Sequence, residues 1–279
     1  MKLTGERPME GATPDSLLAL HDAGYREVCE RLGTGVVLDV GCGIGSETER
    51  LAGADRLVIG ADHSSETVRL ATRTYGSAGA AAAGLDFIAS DGAALGLRDR
   101  SVDFAVSSHI IEHFVNPALH VIELARVLRA DGTAFVITPN APADFENPFH
   151  VYLFEPQHLV SLLSLFFAEV TCYGLEGDAV LKADFATRRA SGERLLRIDP
   201  LNLRRRIPHR AYVWAYENVL PLTYRFLDRS STGIGSGIDS SHFFMQDEIH
   251  ADTPVLFAVA RRPLVPKTRE LRANRNRAT

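Results

Sequence analysis

Val36-Val37-Leu38-Asp39-Val40-Gly41-Cys42-Gly43-Ile44-Gly45-Ser46-Glu47 is the stretch that decides the fold. Its first five residues, four of them apolar, show no alternation, the pattern of a strand buried on both faces. Gly41, Gly43 and Gly45 follow. Glycine reaches positive φ without steric cost and lets a ligand approach the main chain closely. A helix is expected next, with Ser46 and Glu49 as a Ser-x-x-Glu capping box at its start. Strand, glycine turn and helix in this order suit a nucleotide-like cofactor at the carboxyl end of a first parallel strand.

The flanking sequence narrows the choice. A dinucleotide fingerprint wants Gly-x-Gly-x-x-Gly; here the third glycine comes one residue early, and Asp39 sits inside the strand. A second apolar run, Leu57 to Ala61, ends in Asp62 about 20 residues past the glycines, where a carboxylate bonds ribose hydroxyls. A third strand, Leu85 to Ala89, leads into Ser90-Asp91-Gly92. A fourth, Val102 to Val106, runs into Ser107-Ser108-His109-Ile110-Ile111-Glu112-His113. A fifth, Gly132 to Thr138, ends in Thr138-Pro139-Asn140; a sixth is expected at 168–172 and a last at 254–260.

From about Val36 to Gly174 this order and spacing resemble the class I S-adenosylmethionine-dependent methyltransferases, type 11 and ubiquinone-pathway-like, with the glycine turn as motif I. The resemblance implies an α/β fold: a Rossmann-like, seven-stranded, mostly parallel sheet with helices on both faces. It implies S-adenosyl-L-methionine as cofactor. Its contacts would fall on Asp39, Gly41, Cys42, Gly43, Gly45, Asp62, His63, Asp91, Gly92 and Ser107, with Asp91 at the adenine amino group.

The chemistry is expected after strands four and five. His109, Glu112 and His113 are spaced i, i+3, i+4 and would share one face of a helical turn. His150 comes ten residues after Asn140. Two histidines and a carboxylate, with a third histidine in reach, compose a divalent metal site with open positions. Ubiquinone-pathway O-methyltransferases and small-RNA 2′-O-methyltransferases are similar here: they carry Glu-x-x-Glu-His, and a metal holds the acceptor's hydroxyl oxygens. The resemblance thus implies His109, Glu112, His113 and His150 as ligands of Mg or Mn, with His113, His109 and Glu112 catalytic. His109 stands where that pattern has glutamate, and more imidazole favours Mn, Fe, Co or Zn over Mg. Without a metal, His113, His109 or His150 would serve as the base that takes the hydroxyl proton.

Composition bounds the rest. A chain of 279 residues, 46% hydrophobic, with a mean hydropathy of −0.02, suits one large α/β domain with an insertion, or two small ones. No apolar run approaches the roughly 18 residues of a membrane span, and Met1 to Arg7 do not read as a signal peptide. Cys29, Cys42 and Cys172, odd in number and widely spaced, read as reduced thiols of a cytoplasmic protein. The net charge of −5 is uneven: Arg261 to Thr279 hold seven basic residues and one acid, so the remainder carries −11. An acidic body argues against nucleic acid as partner.

The expected organisation is a catalytic domain of residues 1–175 and 253–262, a helical insertion at 176–252 between strands six and seven, and a disordered basic tail at 263–279. Residues 14–32 read as an amphipathic helix with Leu17, Leu18, Leu20, Tyr25, Val28 and Leu32 as its stripe. The insertion holds eight arginines from Arg188 to Arg210, five aromatics from Tyr212 to Phe226 and a Gly/Ser loop at 230–241. It suits a lid or acceptor platform, or a homo-oligomer interface. The function expected is O-methylation of a sugar or glycan hydroxyl, as in a polysaccharide or glycolipid, because a vicinal diol offers two oxygens to one ion. Methyltransferases of methylated bacterial polysaccharides are similar in the opening Leu3-Thr4-Gly5-Glu6-Arg7. The alternatives are a methyltransferase of a small metabolite, quinone or catechol, and a cofactor-binding regulator without catalysis.

Overall fold

The apolar run at the glycine turn forms β1 (Gly35–Val40), whose last four residues are buried. It pairs in parallel with β2 (Arg56–Asp62) on one side and β4 (Val102–Ser108) on the other. The remaining strands are β3 (Leu85–Ala89), β5 (Leu128–Pro139), β6 (Phe167–Gly177), β7 (Phe243–Gln246) and β8 (Val255–Pro263). They form one sheet in the order β3-β2-β1-β4-β5-β8-β6-β7, with β8 antiparallel to both neighbours. This computed structural model describes residues 15–76, 84–144, 150–196 and 237–264. The aromatic stretch of the insertion, most of its Gly/Ser loop, most of the basic tail and the N-terminal Leu3 to Arg7 lie outside the described residues.

The helices are α1 (Asp15–Cys29), α2 (Ser46–Arg50), α3 (Ser65–Tyr75), α4 (Pro117–Val127), α5 (Pro156–Ser164) and α6 (Ala179–Leu196). Two buried clusters show that both sheet faces are covered. Leu38, Ala134 and Val136 pack with Val121, Leu124, Leu159 and Leu163 of α4 and α5. Val37, Phe135 and Ile137 pack with Ala19, Leu20, Ala23 and Val28 of α1. The period of two along each strand divides the side chains between the layers. Among the described residues no helix is long and apolar enough to cross a membrane.

Three local expectations are corrected. The sheet has eight strands rather than seven: β7 lies within the insertion and pairs antiparallel with Gly174–Gly177, which carries β6 beyond its expected end at Cys172. In α1 the stripe turns toward small residues, Ala19, Ala23 and Gly24, and leaves Leu17 exposed. A Cβ at Gly24 would stand 3.1 Å from Ile137 Cδ1, so close approach to the sheet sets the buried face. The capping box does not form: Gly45 caps α2 with φ 91°, and no side chain bonds that end. The side-chain cap of this region belongs to α3, where Ser64 Oγ accepts from Thr67 N at 3.3 Å. Pro117 opens α4 as expected.

The strand order reverses between β1 and β4. In open α/β sheets ligands bind outside the carboxyl ends of the strands at such a point, and the glycine turn and the His/Glu segment both lie there.

Candidate active site

After Val40 the chain turns through Gly41, Gly43 and Gly45, with φ of 82°, 55° and 91°. All three lie in the left-handed region that glycine occupies without strain. Gly41 carries a second constraint, because a Cβ there would overlap Ile110. A Cβ on Gly43 would meet nothing within 4 Å, so the turn opens to space at that residue. Gly41 N and Cys42 N donate to Ala61 O at 2.7 and 3.1 Å, which ties the turn to the end of β2. Asp62 ends β2 nearly buried; its carboxylate accepts from Gly43 N at 3.2 Å and Ser64 N at 2.8 Å, so it is held against the turn. The Cys42 side chain is buried, and the His63 side chain is 75% exposed. Asp91 is exposed and accepts from Ala93 N at 2.8 Å.

Two of the expected cofactor residues are engaged inside the protein. Asp39 is fully buried: Tyr25 OH donates to its two oxygens at 3.0 and 3.2 Å, and Thr48 Oγ1 donates at 2.6 Å. It joins α1, β1 and α2 behind the turn instead of opening toward a ligand. Burial lifts its pKa to about 6 against the pull of those hydroxyls. Ser107 Oγ lies 2.8 Å from His120 Nε2, and His120 Nδ1 lies 2.9 Å from Gly92 O. Burial lowers the His120 pKa to about 4, so the ring is neutral near pH 7. A carbonyl only accepts, so Nδ1 carries the proton and Nε2 accepts from Ser107. His120 thereby ties the segment after β3 to the end of β4. Sequence reasoning assigned it no role, although a histidine on the apolar face of α4 beside Val121 and Leu124 is the available signal.

β4 leads into His109, a non-glycine residue at φ 53°, and then into a 3-10 turn of three residues, Ile111–His113. His109, Glu112 and His113 therefore do not share a helical face, as i, i+3, i+4 spacing suggests; the left-handed residue ends the strand before any α-helix can start. The main chain of His109 is placed by β5, through its N–H to Ile137 O at 2.9 Å. Ile110, against Gly41, joins this segment to the glycine turn.

Glu112 is 1% exposed. Its Oε2 accepts from Thr138 Oγ1 at 3.0 Å, whereas Oε1 is buried without a hydrogen-bond partner among the described residues. Its main-chain oxygen accepts from Val151 N and Tyr152 N, both at 2.9 Å, which brings His150 to the site. Glu112, His113 and His150 each offer a ligand atom within 4.8 Å of the others. His150 Nδ1 lies 2.6 Å from Asp144 Oδ2. His109 stands outside this trio: its Nδ1 is 3.6 Å from Glu112 Oε1, beyond hydrogen-bond reach, and its ring packs on His21 with centroids 4.5 Å apart. Burial, with His109 beside it, lowers the His21 pKa to about 3.

Burial pushes the Glu112 carboxyl up, but the neighbouring His109, His113 and His150 outweigh it and hold the group below its ordinary range. Burial pushes His150 down, and Asp144 outweighs that, so its pKa is raised. The site thus holds a buried carboxylate with one oxygen outside any hydrogen bond among the described residues, beside three imidazoles. Sequence reasoning missed Asp144 and His21, whose roles arise only from contacts across the fold.

A family model described as a methyltransferase domain matches residues 38–136, from the first strand to the fifth. Residues 38–136 thus match a methyltransferase domain on a Rossmann-like sheet. A Mycolicibacterium smegmatis relative, named "Probable S-adenosylmethionine-dependent methyltransferase", is 33% identical over 170 residues, 58% of this chain and 63% of its own. A ubiquinone biosynthesis O-methyltransferase of Sinorhizobium fredii is 28% identical over 144 residues, 48% of this chain and 55% of its own. The chain therefore spans less than two thirds of the length of these curated relatives. Among solved structures, a SAM-dependent methyltransferase of Thermotoga maritima superposes with a TM-score of 0.55 at 13% identity, covering 88% of this chain and 90% of that one. The [4+2]-cyclase SpnF superposes with a TM-score of 0.53 at 19% identity, covering 86% and 80%. Likeness at that level concerns the fold, which is shared with an enzyme named for another reaction; the reaction has to be argued from the site.

Proposed function

We propose that this chain transfers the methyl group of S-adenosylmethionine to a hydroxyl oxygen of a sugar-containing acceptor, with Glu112, His113 and His150 holding a divalent cation at the acceptor side. The observation that carries the reading is Glu112 Oε1, buried with no hydrogen-bond partner among the described residues and 3.6 Å from His109 Nδ1, with donor atoms of His113 and His150 close by. A buried charge in that state is costly unless it is paired or coordinates a metal. One carboxylate and two imidazoles fit Mn, Fe, Co or Zn better than Mg. Such an ion would supply the positive charge that lowers the pKa of a coordinated hydroxyl.

S-adenosylmethionine supplies a methyl group already activated on sulfonium, so the protein's task is alignment. In this reading the main chain at Gly41 and Gly43 accommodates the cofactor, Asp62 takes the ribose hydroxyls and Asp91 the adenine amino group. Ile110, wedged between Gly41 and the His/Glu segment, sets the distance between donor and acceptor. Asp39 and Ser107 support this site from behind through Tyr25, Thr48 and His120. The sugar acceptor rests on the two oxygens that a vicinal diol offers to one ion. The O-methyltransferase among the relatives supports oxygen as the atom methylated.

A second reading has its own observation. With Asp144 on Nδ1, His150 is oriented as a general base that takes the hydroxyl proton without an ion. One experiment separates the two: methyl-labelled S-adenosylmethionine with a panel of oligosaccharides, glycolipids and catechols, with and without EDTA. Label transfer to a glycan that EDTA abolishes and Mn restores supports the metal-assisted reaction. Transfer indifferent to EDTA overturns it in favour of the histidine base.

A further inference from the structure

We propose that Asp144 is the positioning carboxylate of the cation site: it holds His150 in the tautomer that presents Nε2 as ligand and supplies the second negative charge a dication needs. This rests on the cation-holding reading above. His150 Nδ1 and Asp144 Oδ2 are 2.6 Å apart, and both side chains are about nine-tenths buried, at 10% and 11% exposed. A carboxylate oxygen accepts the hydrogen bond, so Nδ1 donates and the lone pair is on Nε2. A carboxylate on the far nitrogen fixes the ring and makes the imidazole a stronger ligand.

Neither partner sits on a loosely held segment. Asp144 N donates to Asn140 O at 2.8 Å, and Asn140 Nδ2 donates to His250 O and Thr253 O at 3.1 and 2.9 Å. The turn that carries Asp144 is therefore pinned to the chain entering β8. On the other side, Val151 N and Tyr152 N are bonded to the main-chain oxygen of Glu112. The carboxylate, the histidine and Glu112 are thus held in one frame. Charge gives an independent argument. Taking a divalent ion out of water is costly unless opposite charge compensates it; Glu112 supplies one negative charge among the three ligands, and Asp144 brings the total to two.

The test is calorimetric titration of Mn, Co and Zn ions into the metal-free full-length chain and its variants. Asp144→Asn keeps the shape and removes the charge; it should weaken ion affinity about 10- to 100-fold, and Asp144→Glu should restore part of it. S-adenosylhomocysteine affinity should stay unchanged in both, which reports an intact fold. In the His150→Ala background Asp144→Asn should have a smaller effect than in wild type, because part of its action passes through the imidazole and only the charge remains. Equal ion affinity of wild type and Asp144→Asn overturns the proposal, as does an equal loss with and without His150. A wild-type chain that takes up none of the three ions refutes the cation-holding reading itself and the role of Asp144 with it. That outcome differs from one in which only the Asp144 variants behave like wild type.

Discussion

At Gly41 two constraints coincide, while at Gly43 only one acts. Both need positive φ, but only at Gly41 would a Cβ also overlap a neighbour, Ile110. An L-residue in the left-handed region costs about 1–2 kcal/mol. Gly43→Ala should therefore lower the thermal midpoint by a few degrees, whereas Gly41→Ala should lower it further and displace the segment that carries His109. Both should weaken S-adenosylhomocysteine binding, Gly43→Ala because its methyl enters the open space beside the turn. Scanning fluorimetry and calorimetry check the pair; equal midpoints would show that the Ile110 contact contributes nothing. Glu112→Gln keeps the shape of the buried side chain and removes its charge. Methyl transfer should fall about 10²-fold or more while S-adenosylhomocysteine affinity holds; a loss of both would make the residue structural. The glycine turn was legible because it follows directly on a buried strand, where the chain must reverse. Asp39 was not, since its partners Tyr25 and Thr48 come from helices on either side of β1.

Elements decide what spacing alone leaves open. The i, i+3, i+4 spacing of His109, Glu112 and His113 carries its helical meaning only inside a helix, and the chain there is a left-handed residue followed by a 3-10 turn. Two of the three still meet, and His150 arrives because the residues after it bond the Glu112 carbonyl. His120 shows the same dependence on a mid-helix contact. Its folded pKa, about 4, lies below the ordinary 6.5. Between those values the unfolded chain binds more protons, so stability falls as pH drops from 6.5 to 4, by up to about 1.4 kcal/mol per unit. His21 acts in the same direction. Asp39 opposes both from about pH 6 down to 3.8, since its carboxyl is more readily protonated in the folded chain. His120→Gln should lower stability at pH 7 and flatten the loss between pH 6.5 and 4, as urea titrations at several pH values will show. An unchanged pH slope would refute a buried neutral ring.

At the scale of the whole molecule, the reversal of strand order between β1 and β4 gathers the glycine turn, Asp62, Asp91 and the His/Glu segment at the carboxyl ends of the parallel strands. S-adenosylhomocysteine should therefore slow amide exchange at 41–45, 62–64 and 91–93 and leave β6 and β7 unchanged. At a hundredfold excess over its Kd it should add about 2.7 kcal/mol to stability. Protection centred on β6 and β7 would place the cofactor elsewhere. The amino-acid sequence by itself determined the α/β class, five parallel strands within a few residues, the glycine turn and the carboxylates at the strand ends. Those features are local: unbroken apolar runs, glycines where φ must be positive, and acids at fixed offsets from them. The tertiary structure alone decided which carboxylates are enclosed, that β7 extends the sheet, that His109 stands outside the trio and packs on His21, and that Asp144 meets His150. Each of those depends on contacts between segments far apart in the chain or on a local backbone conformation, and residue spacing along one segment carries no record of either.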